Sequence, residues 1–341
     1  MATTSGMESD YDAHSEYQRR VVVGGDRLIR ELVSALDDPS AAETVTIADY
    51  GAGTGATSVH AMRAAVEAVR ARSAAVPILA VHNDVVTSDF TQLFHNVGSG
   101  GGYLGLPGGP VYATAAAGSF FDQVLPEATV DAGMCSNAAH WLREQPQVTV
   151  PDGMYFAEAT GEARHRLAAQ AAADWHAFLT ARAAELRPHG RLIVQGIGRS
   201  DEVVSAARLL AVMWQVAVGL VDDGKLDRAA LDDYVSPIYC RDAAEMSDTV
   251  PGLAVAALTQ DAVDNPYWER YERDGDAAAY AETYIGFVRA FAAPSLTSGL
   301  FGGSAALCDE FFARLQAATE ADPEAGRFEA WIVRATFART R

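Results

Sequence analysis

Apolar and polar positions run in two rhythms along the first two hundred residues. Short apolar stretches, VTIADY at 45–50, ILAVHND at 78–84, VYATAAAG at 111–118, ATVDAGMCS at 128–136 and RLIVQGIG at 191–198, read as buried strands. Helix-compatible spacing fills the intervals. SVHAMRAAVEAVRAR follows the first strand, and EARHRLAAQAAADWHAFLTARAAELR (162–187) carries Leu167, Trp175, Phe178, Leu179 and Leu186 on an amphipathic pattern. This alternation predicts an α/β fold with a doubly wound, mostly parallel sheet. From about 203 to 297 the pattern becomes mostly helical, with SPIYC (236–240) and a Pro-rich turn inside it, before FEAWIVRATFART (328–340) supplies a late strand. The expected organisation is a core of 1–202 and 298–341, with 203–297 laid over the sheet as a helical lobe. GSGGGYLGLPGG (98–109) reads as a flexible loop on composition.

Composition narrows the classes. With 341 residues and 49% hydrophobic, the chain can bury a substantial core, so disorder is not expected. Its 26 Lys+Arg against 45 Asp+Glu give a formal charge of -19, spread along the chain, which makes nucleic acid and anionic membrane poor partners. The N-terminal MATTSGMESDYDAHSEYQRR has no positive start followed by an apolar run, and no segment approaches a membrane span, so the expectation is a soluble, cytoplasmic protein. Cys135, Cys240 and Cys308 lie far apart without CxxC spacing, and the eight His show no paired metal spacing, so neither disulfides nor a metal is expected.

Candidate chemistry begins at VTIADYGAGTGATS (45–58), where a strand runs into a turn with Gly51, Gly53 and Gly55. In an open α/β sheet this turn lies at the carboxyl ends of the strands, and glycine lets backbone N–H groups approach a ligand closely. Alone, the pattern is a weak signal, and its plain reading is a tight strand-to-helix turn without a ligand. Two acids sharpen it. Asp49 precedes the turn, where it can meet a cationic amino group, and Asp84 ends the second strand, where a carboxylate can accept from two ribose hydroxyls. A nicotinamide cofactor would want GxGxxG, whereas positions 54–56 are TGA. S-adenosyl-L-methionine (AdoMet), with a ribose, an ammonium and no phosphate, fits better.

Longer motifs then bear a specific resemblance. YDAHSEYQ (11–18), HNDVVTSDFTQLF (82–94), AAGSFFDQVLP (116–126), CSNAAHWLREQP (135–146), DWHAFLTARAAELRPHGRLIVQGIGR (174–199), and GLVDDGKLD followed by SPIYC stand in the order found in the SABATH carboxyl methyltransferases, over about residues 11–315. That family includes salicylate, benzoate, jasmonate and indole-acetate methyltransferases and the caffeine-pathway N-methyltransferases. The resemblance implies a class I AdoMet methyltransferase fold in which 1–202 and 298–341 bind the cofactor, 203–297 is a helical cap contributing to the substrate pocket, and residues 1–40 contribute to an active-site lid. It also implies a methyl ester product and a homodimer. Its cofactor contacts carry over to Tyr11, Ser15, Asp49, Gly51, Gly53, Asp84, Val85, Ser119 and Phe120. Its carboxylate-holding pair falls on Gln18 and Trp141, and its pocket walls on His140, Met213, Trp214 and Tyr239.

Physical chemistry supports these roles. A carboxylic acid is already ionised at neutral pH, so no general base is needed. The enzyme's task is orientation, and a side-chain amide with an indole N–H can fix a carboxylate while leaving it nucleophilic. Each residue also has a plain structural reading: Trp141 as a core indole, His140 as a satisfied histidine, Met213 and Trp214 as helix packing, Gln18 as solvated surface. Departures from the family are DYGAGTG for D-L-G-C-S-S-G, His14 for Asn, and Asn137 where an aromatic is usual. Richness in Ala, Arg and Asp suggests a bacterial rather than a plant chain. Alternatives from other classes are an N- or phenol O-methyltransferase on a heteroaromatic substrate, and a non-catalytic AdoMet-binding protein.

Overall fold

The computed structural model describes residues 16–340. In chain order these form helices α1 (Glu16–Gly24) and α2 (Asp26–Ser34), strand β1 (Val45–Tyr50), α3 (Ser58–Arg72), β2 (Ile78–Asp84), α4 (Phe90–Gly98), β3 (Val111–Ala117) and β4 (Val130–Ser136). There follow α5 (Gly161–Glu185), β5 (Leu186–Gly198), α6 (Ala207–Asp222), α7 (Arg228–Asp232), α8 (Ala243–Ser247), β6 (Leu253–Val263), α9 (Pro266–Asp274), α10 (Ala277–Gly299), α11 (Ala305–Ala321) and β7 (Ala330–Arg339).

The strands make one seven-stranded sheet in the order β3-β2-β1-β4-β5-β7-β6. Strands β1 to β5 pair in parallel, while β7 enters antiparallel between β5 and β6. Strand period two divides the burial of β1 between the faces. Ile47 joins Ile29, Val33, Val66 and Ile78 under α2 and α3, whereas Ala48 and Tyr50 join Trp175, Phe178 and Phe337 under α5. Both faces are covered, as a parallel sheet requires. A third core gathers Tyr17, Leu142, Tyr155, Met213, Trp214, Tyr284 and Phe311, from α1, the 142–159 stretch, α6, α10 and α11.

This is the expected α/β architecture, and the strands read at 45–50, 78–84, 111–118, 128–136 and 191–198 overlap β1 to β5, although β5 begins at Leu186, which the pattern puts on the preceding helix. The expected division of the chain does not follow the sheet, however. Within 203–297 lies β6, an eleven-residue edge strand paired to β7 from Leu253↔Arg339 to Val263↔Ala330. Conversely α11, inside 298–341, packs against α10 and α6 in the helical lobe. The 98–109 loop carries a buried anchor, Tyr103, whose hydroxyl meets His82 Nε2 at 2.7 Å.

Candidate active site

The sheet order reverses between β1 and β4, and ligands of open α/β sheets bind in the crevice outside the strand ends at such a point. A cavity of about 320 Å³ occupies it. Its walls are Gly51–Gly53 after β1, Asp84–Thr87 after β2, Gly118–Asp122 after β3 and Ser136–Ala138 after β4, closed by Thr57, Trp141, Arg143 and Phe291.

The turn after β1 has its glycine for a visible reason. Gly51 has φ +81, and a Cβ there would collide with the Ala138 methyl. Gly53, at φ +56, donates its N–H to Asp84 Oδ2 at 2.6 Å, and Val85 N–H reaches Asp84 Oδ1 at 2.7 Å. Burial raises the Asp84 pKa, while these two amides pull it down. Each oxygen keeps a lone pair for a further donor. Asn83 Nδ2 donates to the Ala116 and Gly118 carbonyls at 2.7 and 2.9 Å, which ties the loop after β3 to the same place.

Asp49 lies beneath the turn and not on the cavity wall, 2% exposed with Oδ1 unpartnered. Burial pushes its carboxyl up to about 6, the Ser58 hydroxyl lowering it and the Asp84 charge raising it. Behind it Ser58 Oγ meets His82 Nδ1 at 3.0 Å. Among the described lining residues the one cationic side chain is Arg143, already bonded to Asp122 at 2.7 Å. A site offering carboxylates and backbone, with no uncommitted cation, suits a neutral or cationic ribose compound better than a phosphate. AdoMet fits on those grounds.

A second, smaller chamber of about 40 Å³ adjoins the first and shares Asn137, Trp141 and Phe291 with it. Its other walls include Tyr17, Gln18, His140, Ile197, Ile238, Phe287 and Phe328. Gln18 is buried with Oε1 unpartnered, and the Trp141 indole N–H has no partner among the described residues. Asn137 sits at φ +54 and donates Nδ2 to the Gln18 carbonyl at 3.3 Å, joining α1 to the end of β4. Such a non-glycine backbone outlier recurs at functional sites. Burial, then the Arg241 charge, pulls the His140 pKa down to about 3, so the imidazole is neutral at physiological pH.

The structure therefore brings together Gln18, His140 and Trp141 in one chamber, and Gly51, Gly53, Asp84, Val85, Ser119 and Phe120 around the other. Met213 borders a small recess against Trp141, Ile238 and Phe291. Trp214 and Tyr239 are not brought to the chamber. The Trp214 ring packs in the lobe with the Arg228 guanidinium 5.7 Å above it, and Tyr239 turns its hydroxyl to Glu245 at 2.8 Å. Tyr11 and Ser15 lie outside the described residues. Sequence reasoning missed Phe291, which touches both cavities and the recess. Its spacing of four from Phe287 on α10 is what any core-facing helix shows.

Fold and cavity together define a class I AdoMet-dependent methyltransferase. The chain belongs to the SAM-dependent carboxyl methyltransferases, whose family model matches residues 1–339, and its cofactor is S-adenosyl-L-methionine. A probable jasmonic acid carboxyl methyltransferase 2 of Theobroma cacao is 24% identical over 299 residues, covering 81% of this chain and 78% of the relative. The farnesoic acid carboxyl-O-methyltransferase of Arabidopsis thaliana is 26% identical over 261 residues, 71% of this chain and 72% of its own. A solved structure, loganic acid methyltransferase with SAH, superposes at TM-score 0.81 with 22% identity, over 100% of this chain and 99% of that one. Among the described residues no helix is long and apolar enough to cross a membrane, and no His/Cys/Asp/Glu cluster suits a metal.

Proposed function

We propose that this carboxyl methyltransferase esterifies a small, largely apolar acid of the aromatic, indolic or terpenoid kind, and that Gln18 and Trp141 orient its carboxylate. One observation carries the reading: the buried Gln18 side-chain amide and the Trp141 indole, whose N–H groups have no hydrogen-bond partner among the described residues, flank an aromatic chamber that shares a wall with the larger cavity. The relatives named for jasmonic and farnesoic acids are consistent with that acid class.

AdoMet, when bound, supplies an electrophilic methyl group. Asp84 would hold the ribose hydroxyls and the backbone of Gly51, Gly53 and Val85 the face beside them, with Ser119 and Phe120 on the far wall, while the Asp49 charge would act on the ammonium from beneath the turn. The Gln18 amide and Trp141 N–H would each give the carboxylate one hydrogen bond, leaving a lone pair free to attack. Phe287, Phe291 and Phe328 keep water from the acceptor, which positions it as a near-attack partner. Neutral His140 and Asn137 present polarity without charge, so the chamber does not offer the acid an ion pair that would blunt it. No side chain has to accept a proton.

Labelled AdoMet with a panel of aromatic, indolic and terpenoid acids tests the reading. Product that loses label on mild base, with the methyl ester found by mass spectrometry, is expected. Transfer only to amines or phenols would overturn it.

A further inference from the structure

Two ionised side chains in the last turn of α5 have no part in this chemistry, yet they are the most deeply buried ions near the site. Arg182 and Glu185 are both 0% exposed and bonded to each other twice at 2.9 Å. What they do with their remaining valences is specific. Arg182 Nη1 donates to the Phe120 carbonyl at 2.6 Å, and Nη2 donates to the Asp122 carbonyl at 3.0 Å. Glu185 Oε1 accepts the N–H groups of Val124 and Leu125 at 2.6 and 3.0 Å, and Oε2 accepts the Tyr50 hydroxyl at 2.6 Å. The guanidinium also lies 3.9 Å from the centroid of the Tyr50 ring, immediately before the Gly51 turn.

One ion pair thus grips four backbone groups of the segment after β3 and one side chain from the end of β1. That segment is a wall of the large cavity through Ser119, Phe120, Phe121 and Asp122. Its ends have further holds, Asn83 Nδ2 on the Gly118 carbonyl at 2.9 Å and Arg143 on the Asp122 carboxylate at 2.7 Å, but neither reaches the Phe120 backbone. Its internal bonds are a single turn, Asp122 N–H to Ser119 O at 2.9 Å, and a long contact from Phe121 N–H to Ser119 Oγ at 3.4 Å. A buried ion pair is a weak device for stability, since apolar replacement is often neutral or better, so its presence here calls for another account.

We propose that Arg182 and Glu185 are positioning residues that preset the Ser119–Asp122 wall, so that AdoMet meets an ordered face and does not have to order the segment on binding. The cost of ordering a loop is taken from affinity when it falls at the moment of binding. The inference rests on the assignment of the large cavity to AdoMet.

The test compares AdoMet affinities by calorimetry on folded protein. Arg182→Lys keeps the charge beside Glu185 but loses the fork that reaches two carbonyls at once. Arg182→Met with Glu185→Gln leaves no unpaired buried charge and still offers an acceptor to Val124 and Leu125. Both variants are expected to weaken AdoMet by about tenfold, with the KM for the acid and the single-turnover rate at saturating AdoMet within about twofold of wild type. A purely structural role would instead lower the fraction of binding-competent protein while the Kd of that fraction stays at the wild-type value, and that result overturns the proposal. Asp84→Ala run alongside separates the two levels. Wild-type affinity in Asp84→Ala removes the cavity assignment itself. Weakening there, with wild-type Kd in the double variant, removes the positioning role alone.

Discussion

Asp84 holds Gly53: the carboxylate at the end of β2 takes the backbone N–H of the turn after β1 at 2.6 Å, and so one residue shapes the cavity floor and presents its acceptor. Asp84→Ala loses both functions. The charge-assisted bonds removed are worth about 1.5–3 kcal/mol, so AdoMet binding should weaken by about tenfold or more. Calorimetric titration at wild-type affinity would contradict the assignment.

Binding and chemistry separate at Gln18 and Trp141. Gln18→Ala and Trp141→Phe each remove one donor to the acceptor, which should lower turnover of the best acid by about tenfold while AdoMet affinity stays nearly intact. Full activity in both variants would show that the carboxylate is held elsewhere.

How much of this was legible in the chain depends on what decides each element. Strands β1, β2, β4 and β5 have apolar runs that only a buried parallel strand explains, and they were readable. Strand β6, LAVAALTQDAV, was not, because it is Ala-rich and largely exposed, and its conformation is set by pairing with β7. Trp141 became distinctive only within AAHWL and its neighbouring motifs, since an isolated indole carries no address. Tyr103 inside a glycine-rich loop has no local pattern at all: it is buried in the core under α2 and α3 and bonded to His82, twenty-one residues earlier. Trp214 and Tyr239 were read from resemblance, and here the Arg228 and Glu245 contacts draw them away from the chamber.

Phe291 separates the chamber from the recess bordered by Met213 and Leu210. Phe291→Leu should join the two spaces. The ratio of kcat/KM for a bulky acid over benzoate should rise by about tenfold, within the 1–3 kcal/mol that hydrophobic pocket changes supply. An unchanged ratio, with the protein folded, would remove Phe291 from specificity.

Asp49 gives cofactor binding a pH dependence. Its carboxyl, raised to about 6 by burial, is half protonated near pH 6 in the free protein, and an ammonium beside it favours the ionised form. AdoMet binding at pH 6 should therefore release a proton, and affinity should climb between about pH 5 and 7 and then level. The same raised pKa makes the unliganded protein lose stability as pH rises from about 4 to 6, because the folded state holds the proton longer than the unfolded one. Calorimetry at pH 6 in two buffers of different ionisation enthalpy reads the proton directly. No proton release, or release that persists in Asp49→Asn, would contradict the role.

The central claim, that the methyl acceptor is a carboxylate which needs no base, is tested most directly by single-turnover transfer as a function of pH. A carboxylic acid is fully ionised above about pH 6, whereas a phenol with pKa near 10 or a protonated amine gains nucleophile with every unit. His140, held near 3, does not titrate in the range. With saturating AdoMet and the best acceptor, the rate should be nearly flat from about pH 7 to 9. A log-linear rise of about tenfold per pH unit across that window, with the fold intact, would contradict the account.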